Sequence, residues 1–321
     1  MSSALLFVKG NKLLGLDDYI NKIKGLLSNY DKYSNIYVVI TDTQFKEYDI
    51  VNDNDELMMN NIQTLINLGF DKNVKFIQES RIKNIFINSN VLAKYVFLSK
   101  LIKSSYLKND IYEQNENNIK ASSILGILTM ITEMVMFGDC DMYGDYGSKY
   151  LLEVAKKIVD KYNSIHGKKL KVPNLIVNRE IMKNMVGLDG NVNVSNKFNN
   201  DCPLLSSKEE MKLKIMSIYT DPNHIKVEDK GSIVDNPLFM FVDQLCESKD
   251  VKKFFEFDGL EELKVNYEKG GIADSKVKEM LYHSVLNKFA VCKEKIERDI
   301  IVKRLYEDTY QIDNLFNNIN Y

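Results

Sequence analysis

The sequence predicts an α/β protein with a parallel, doubly wound sheet in its first part and an all-helical second part. Three features carry this. Short apolar, β-branched runs alternate with helix-period segments near the start of the chain. Beyond residue 200 the apolar residues recur at helical spacing to the end. The length of 321 residues is about twice the ~150-residue expectation for one domain. Ala4 to Val8 is a buried strand closed by Lys9, Gly10 and Asn11. Tyr19, Ile20, Ile23, Leu26 and Leu27 then fall on one helical face. Ile36 to Thr41 is a second buried strand ending at Asp42, which completes a strand–helix–strand unit. Leu57 to Leu68 is a helix capped by Gly69, and Val74 to Ile77 a third strand. Ile85 to Lys103 reads as one long helix, and Ala121 to Phe137 as an apolar helix carrying a single acid, Glu133. Gly138 to Gly147, with Asp139, Asp141 and Asp145, reads as a strand-to-loop element, followed by a helix over Lys149 to Tyr162. The composition shift near residue 200 divides the chain into 1–200, an α/β part, and 201–321, helical. In the second part Asp274 to Arg298 is the longest expected helix.

Lys+Arg 43 against Asp+Glu 45 gives a net charge of −2, so no global positive field draws the chain to nucleic acid or an anionic membrane. Arginine occurs only at Arg81, Arg179, Arg298 and Arg304, which makes bidentate phosphate clamps scarce. Cys140, Cys202, Cys246 and Cys292 form no C-x-x-C pair and have no histidine cluster nearby, so no metal site is expected. The apolar run at the start is too short for a signal peptide, and no stretch approaches the length of a membrane span. A reducing cytoplasm is the expected compartment, with no membrane partner. Glu133 has two readings, a carboxylate at the exposed edge of its helix or one aimed into a pocket.

The segment Lys214 to Gly231 (KIMSIYTDPNHIKVEDKG) closely resembles a signature of one branch of bacterial tryptophanyl-tRNA synthetases. Tyr267 to Lys278 (YEKGGIADSKVK), Gly187 to Gly190 (GLDG) and Glu133 to Phe137 (EMVMF) are also similar to runs of that family. The resemblance covers essentially the whole chain. It implies a class I synthetase Rossmann-type sheet, a helical anticodon-type domain facing tRNA, and a homodimer. It also implies an amino-acid pocket in which Glu133 accepts the indole N–H of tryptophan, lined by Met130 and Gln44, with Asp145 and Tyr146 where the family has a Gly-Glu-Asp-Gln run.

The family's ATP motifs are where this sequence departs. The implied His-x-Gly-His or His-x-Gly-Asn element reads KLLGLDD over Lys12 to Asp18, which keeps Gly15 and places Leu13 and Leu16 at the polar positions. Leucine donates no hydrogen bond, and Asp17 and Asp18 repel polyphosphate by about 1 kcal/mol or more each in a partly desolvated site. The family's Lys-Met-Ser-Lys-Ser motif falls on Asn193 to Lys197 (NVSNK), with Ser195 kept and both lysines replaced by asparagine. A register change of one residue makes Lys197 the second lysine instead. Lys108 matches a lysine that contacts ATP in the family, or is a solvated loop lysine. The nucleotide-site remnant is therefore Gly15, Lys108, Ser195 and Lys197.

Three functions fit. The first is a non-catalytic paralogue that binds tRNA or an amino acid and requires no cofactor. The second is an active tryptophan–tRNA ligase using ATP and Mg. The third is an enzyme of altered chemistry acting on an aminoacyl-tRNA.

Overall fold

Strands β1 (Ser3–Lys9), β2 (Asn35–Thr41), β3 (Val74–Gln78), β4 (Asp141–Tyr143) and β5 (Asn174–Ile176) form one parallel sheet in the order β3-β2-β1-β4-β5. The computed structural model describes residues 2–43, 53–103, 121–178, 185–192, 194 and 198–315. Contacts divide the chain into a sheet unit, Met1–Leu13 with Asn21–Met182 and Ile296–Tyr321, and a helical unit, Leu14–Ile20 with Lys183–Lys295.

In the sheet unit β1 lies at the centre because its residues are apolar on both faces: Ala4, Leu5, Leu6 and Val8 are all buried. Leu6 pairs with Val38 on one side and Tyr143 on the other. Leu5, Val39 and Ile77 share one face and pack against the helices Lys83–Ala93, Ala121–Phe137 and Tyr146–His166. Helix Tyr146–His166 starts where Asp145 accepts the Ser148 N–H and ends at Gly167, whose φ of 62° suits a residue without a Cβ. The expected helix over Ile85 to Lys103 is two, Lys83–Ala93 and Leu98–Leu101. Between them Tyr95 turns its ring edge-on to Tyr162 and its hydroxyl to His166 Nε2, which takes this stretch off the helical path.

The edge strand β3 is covered by the helix Arg298–Leu315. Asp308 accepts the Phe76 N–H and Thr309 Oγ1 the Gln78 N–H, the two alternate donors that an edge would leave open. Arg304 donates to the carbonyls of Asp71 and Val74 and lies over the Phe76 ring.

The helical unit holds Lys208–Met216, Pro237–Leu245, Ser248–Phe255, Leu260–Lys269 and Asp274–Lys288. Ser207 and Asn236 cap the first two, with Pro237 in the first turn of the second. The helix expected over Asp274 to Arg298 stops at Lys288, because Phe289 is buried edge-on against Tyr19. The two long signature segments pack on each other. Asp274 Oδ1 receives the Tyr267 hydroxyl at 2.6 Å and meets His224 Nδ1 at 2.7 Å. Gly231 N–H bonds the Tyr267 carbonyl, and a Cβ at Gly231 would stand 2.1 Å from the Tyr267 ring. Tyr267 is fully buried against Phe239 and cannot withdraw. Gly231→Ala is therefore expected to destabilise the helical unit by about 2 kcal/mol in urea melts. A change under about 0.5 kcal/mol, the size of an ordinary surface substitution, would mean that the ring has room to yield.

All four cysteines are buried and outside any disulfide, and burial raises the thiols of Cys140, Cys202 and Cys246 to about 12 and that of Cys292 to about 11, which disfavours the reactive thiolate. Among the described residues no helix is long and apolar enough to cross a membrane, and no group of acids, cysteines and histidines could hold a metal.

Candidate amino-acid site

The sheet order reverses between β1 and β4, which opens a crevice beyond the carboxyl ends of the strands, the usual ligand position in open α/β sheets. Gly10 follows β1 there, and a Cβ on it would lie 3.0 Å from the Thr41 carbonyl. The loop after β1 is tied down by the buried Asn61, whose Nδ2 donates to the carbonyls of Lys9 and Lys12.

At the ends of β2 and β3 two acids meet. Asp42 accepts from Gln78 Nε2 at 2.9 Å and from the Ser80 N–H at 2.8 Å and hydroxyl at 2.6 Å. Glu79 Oε2 accepts the N–H groups of Asp42 and Thr43, both at 3.0 Å. Glu79 Oε1 is buried with no hydrogen-bond partner. Burial raises Glu79 to about 7, aided by the nearby Asp42 charge and opposed by the N–H groups.

Glu133 adds a third carboxyl from the helix Ala121–Phe137. It is fully buried, and neither of its oxygens has a hydrogen-bond partner among the described residues. Burial, then the charges of Glu79 and Asp42, push its pKa well above the carboxylate range. A buried carboxyl in this state is protonated unless a ligand brings it a donor or a cation. Of the two sequence readings, an exposed helix edge is excluded. Met130, one turn earlier, is also buried. Glu79 was not among the sequence candidates. Its Glu-Ser-Arg context reads as a loop, and only the close approach of β2 and β3 shows its burial.

Asp145 and Tyr146 stand apart from these acids in chemical role. Asp145 caps a helix through the Ser148 N–H and hydroxyl and lies 3.8 Å from Lys22. Burial works against its charge, but Lys22 and Ser148 outweigh it and hold the pKa below the ordinary value. Tyr146 is 38% exposed in the first turn of that helix. Gln44, Lys108, Ser195 and Lys197 lie outside the described residues.

Gly15 belongs to the helical unit. It precedes a helix that runs Leu16–Asp18, takes a π turn over Tyr19–Ile23 and continues through Lys24–Leu27. A Cβ at Gly15 would fall 1.8 Å from Asp201 Oδ2. Asp201 Oδ1 accepts the N–H groups of Asp17 at 3.3 Å and Cys202 at 2.8 Å, so an internal carboxylate already meets this helix start. Lys214, the first residue of the long signature, holds that loop by donating to the carbonyls of Asn199 and Asp201.

No family model matches the sequence. A tryptophan–tRNA ligase of Clostridium longisporum is 31% identical over 188 residues, which are 58% of this chain and 53% of that protein. The chain thus spans about half the length of that curated relative. The tryptophan–tRNA ligase of Lactococcus lactis is 27% identical over 81% of this chain and 76% of its own length. Among solved structures, the tryptophanyl-tRNA synthetase of Mycoplasma pneumoniae matches with a TM-score of 0.79 at 16% identity, covering 98% of this chain and 94% of its own. That of Campylobacter jejuni, complexed with ADP and tryptophan, matches at 0.75 and 20%, covering 98% and 96%. The fold is that of the class I aminoacyl-tRNA synthetases. Within that class, these curated relatives and solved structures, which this chain resembles, are tryptophan–tRNA ligases.

Proposed function

We propose that the protein is a tryptophanyl-tRNA synthetase-like binder of tRNA or of an amino acid that does not carry out standard ATP-dependent ligation. The observation that carries this reading is the helix start at Gly15. By the family resemblance that element holds the ATP phosphates, yet here its first turn carries Asp17 beside a buried Asp18 and meets the Asp201 carboxylate. A polyphosphate at that helix start would meet the Asp17 and Asp201 carboxylates, with Lys12 the single lysine of the segment, a balance that disfavours ATP and Mg. The asparagines at Asn193 and Asn196 remove two further cations by the same resemblance.

Glu133 supports retention of an amino-acid pocket. Its unpartnered carboxyl suits the indole N–H of tryptophan, as the family resemblance implies, with Met130 beside it on the helix. Recognition of tRNA is assigned to the helical part of the chain. A homodimer belongs to this reading, because Phe86, Ile87, Phe97, Leu98 and Leu125 of the sheet unit are exposed apolar groups that a second copy would cover. A cytoplasmic location follows from the same kinship.

Pyrophosphate exchange into ATP with tryptophan tests the proposal. The expected result is no exchange above background, together with thermal stabilisation by tryptophan and none by ATP. Turnover near about 1 s⁻¹ or faster would establish the second reading, an active ligase, which similarity along most of the chain favours. A third reading, an enzyme acting on an aminoacyl-tRNA through Glu133, Asp145 and Tyr146, has less support, since Asp145 is engaged in capping.

A further inference from the structure

A cavity of about 130 Å³, whose lining does not include Glu133, lies in the sheet unit between the end of β3 and the helices Asp53–Asn67 and Arg298–Leu315. Its wall includes Arg81 and Arg298, two of the four arginines of the chain. Neither guanidinium forms an ion pair with any described residue, and Arg81 lies over the Tyr306 ring at 5.9 Å. Asp55 brings one negative charge to the same wall. Gln78 brings an amide that is 5% exposed. Its Nε2 is committed to Asp42, which fixes the amide and leaves Oε1 buried without a partner. Met58 and Leu305 supply buried apolar surface.

Each wall group asks for a different part of one ligand. Two unpaired guanidinium groups match a carboxylate. A carboxylate and an unpartnered amide oxygen match an ammonium group, whose three donors can serve both. The thioether and aliphatic walls match a short apolar side chain. A simple oxyanion such as phosphate satisfies the arginines, but it is repelled by Asp55 and leaves Gln78 Oε1 unmet. We propose that this cavity is a second ligand site, one that takes a small α-amino acid as its zwitterion. The volume, about four waters of liquid at ~30 Å³ each, sets the size near alanine and excludes tryptophan. With both arginines and Asp55 exposed to solvent, the affinity is millimolar.

The test is a set of titrations of the full chain at low salt, followed by thermal shift and calorimetry, with L-alanine, sodium acetate, ethylammonium chloride and sodium phosphate as probes. L-alanine is expected to give a saturable stabilisation with Kd in the millimolar range, and acetate and ethylammonium none at equal concentration. Arg298→Gln and Asp55→Asn, both at exposed positions, are each expected to weaken alanine binding by about fivefold or more. Glu133→Met is expected to leave the alanine response unchanged, which separates this site from the tryptophan pocket. The proposal is overturned if phosphate saturates and alanine does not, if both variants retain the parental alanine response, or if alanine has no effect up to about 50 mM, where an affinity of this order would be saturated.

Discussion

Glu133→Met is expected to raise the stability of the unliganded protein by about 2 kcal/mol at neutral pH, and to abolish any stabilisation by tryptophan. A buried polar group without a partner costs about 1 to 3 kcal/mol, and both oxygens of this carboxyl lack one. Methionine is unbranched and of similar length, so it fills the same space between helices without the desolvation cost. Most substitutions at fully buried positions lower stability, so an increase here would be a distinctive result. Thermal and urea melts with and without tryptophan read both effects. If Glu133→Met were instead less stable by a similar amount, the carboxyl would have a partner in the folded protein and the proposed pocket would lose its acceptor.

The second large effect concerns pH. Glu79 is raised from 4.5 to about 7 in the folded protein, so the fold holds this proton more tightly than the unfolded chain does. Its favourable contribution is complete below about 4.5 and is lost as the pH rises to about 7. At about 1.4 kcal/mol per pH unit the full window is worth about 3 kcal/mol, of which about 2 kcal/mol falls between pH 5.5 and 7.5. Burial also raises Glu133, which adds to the same slope. Asp145, Asp189, Asp221 and Glu247 are held below their ordinary values, so their stabilisation is already in place above those values and does not oppose the trend. Urea melts at pH 5.5 and 7.5 are expected to show greater stability at the lower pH. Glu79→Gln, which keeps an acceptor for the N–H groups of Asp42 and Thr43, is expected to reduce the difference by about 2 kcal/mol and to leave the part due to Glu133. An unchanged slope in that variant would assign the proton to another group.

Strands β1, β2 and β3 were legible because burial on both faces requires continuous apolar runs, and Ile36 to Thr41 can be little else, whereas β5, three residues with none buried, gave no such signal. The helix Ala121–Phe137 and its single acid were legible for a similar reason, since one charge in seventeen residues stands out against the apolar background. The acid whose charge acts most on it, Glu79, was not legible. Glu79 sits between a strand end and a turn, and its burial depends on how β2 and β3 bring their ends together. Asp145 illustrates the opposite case. Its place in a run similar to the family's suggested a pocket group, whereas the Asp-x-x-Ser spacing ahead of a long helical pattern was already the local signal of a cap. Asp201 escaped notice because nothing in a sequence indicates that a carboxylate far along the chain will stand where a side chain on Gly15 would otherwise be. The break after Lys288 has the same cause, since helical periodicity continues through it and only the burial of Phe289 against Tyr19 stops the helix.

The cover of β3 has a consequence for how the protein is made. Phe76 and the Asp308 that receives its N–H are 232 residues apart, and the chain between them includes the whole stretch Lys183–Lys295. At synthesis rates of about 5 to 20 residues per second, the strand leaves the ribosome roughly 10 to 50 s before its cover exists. During that interval a nascent sheet presents an open edge with alternate free donors, a template for pairing with another chain. The sheet unit is thus the first to begin and the last to finish, and its vulnerable period ends only with the emergence of Asp308 and Thr309.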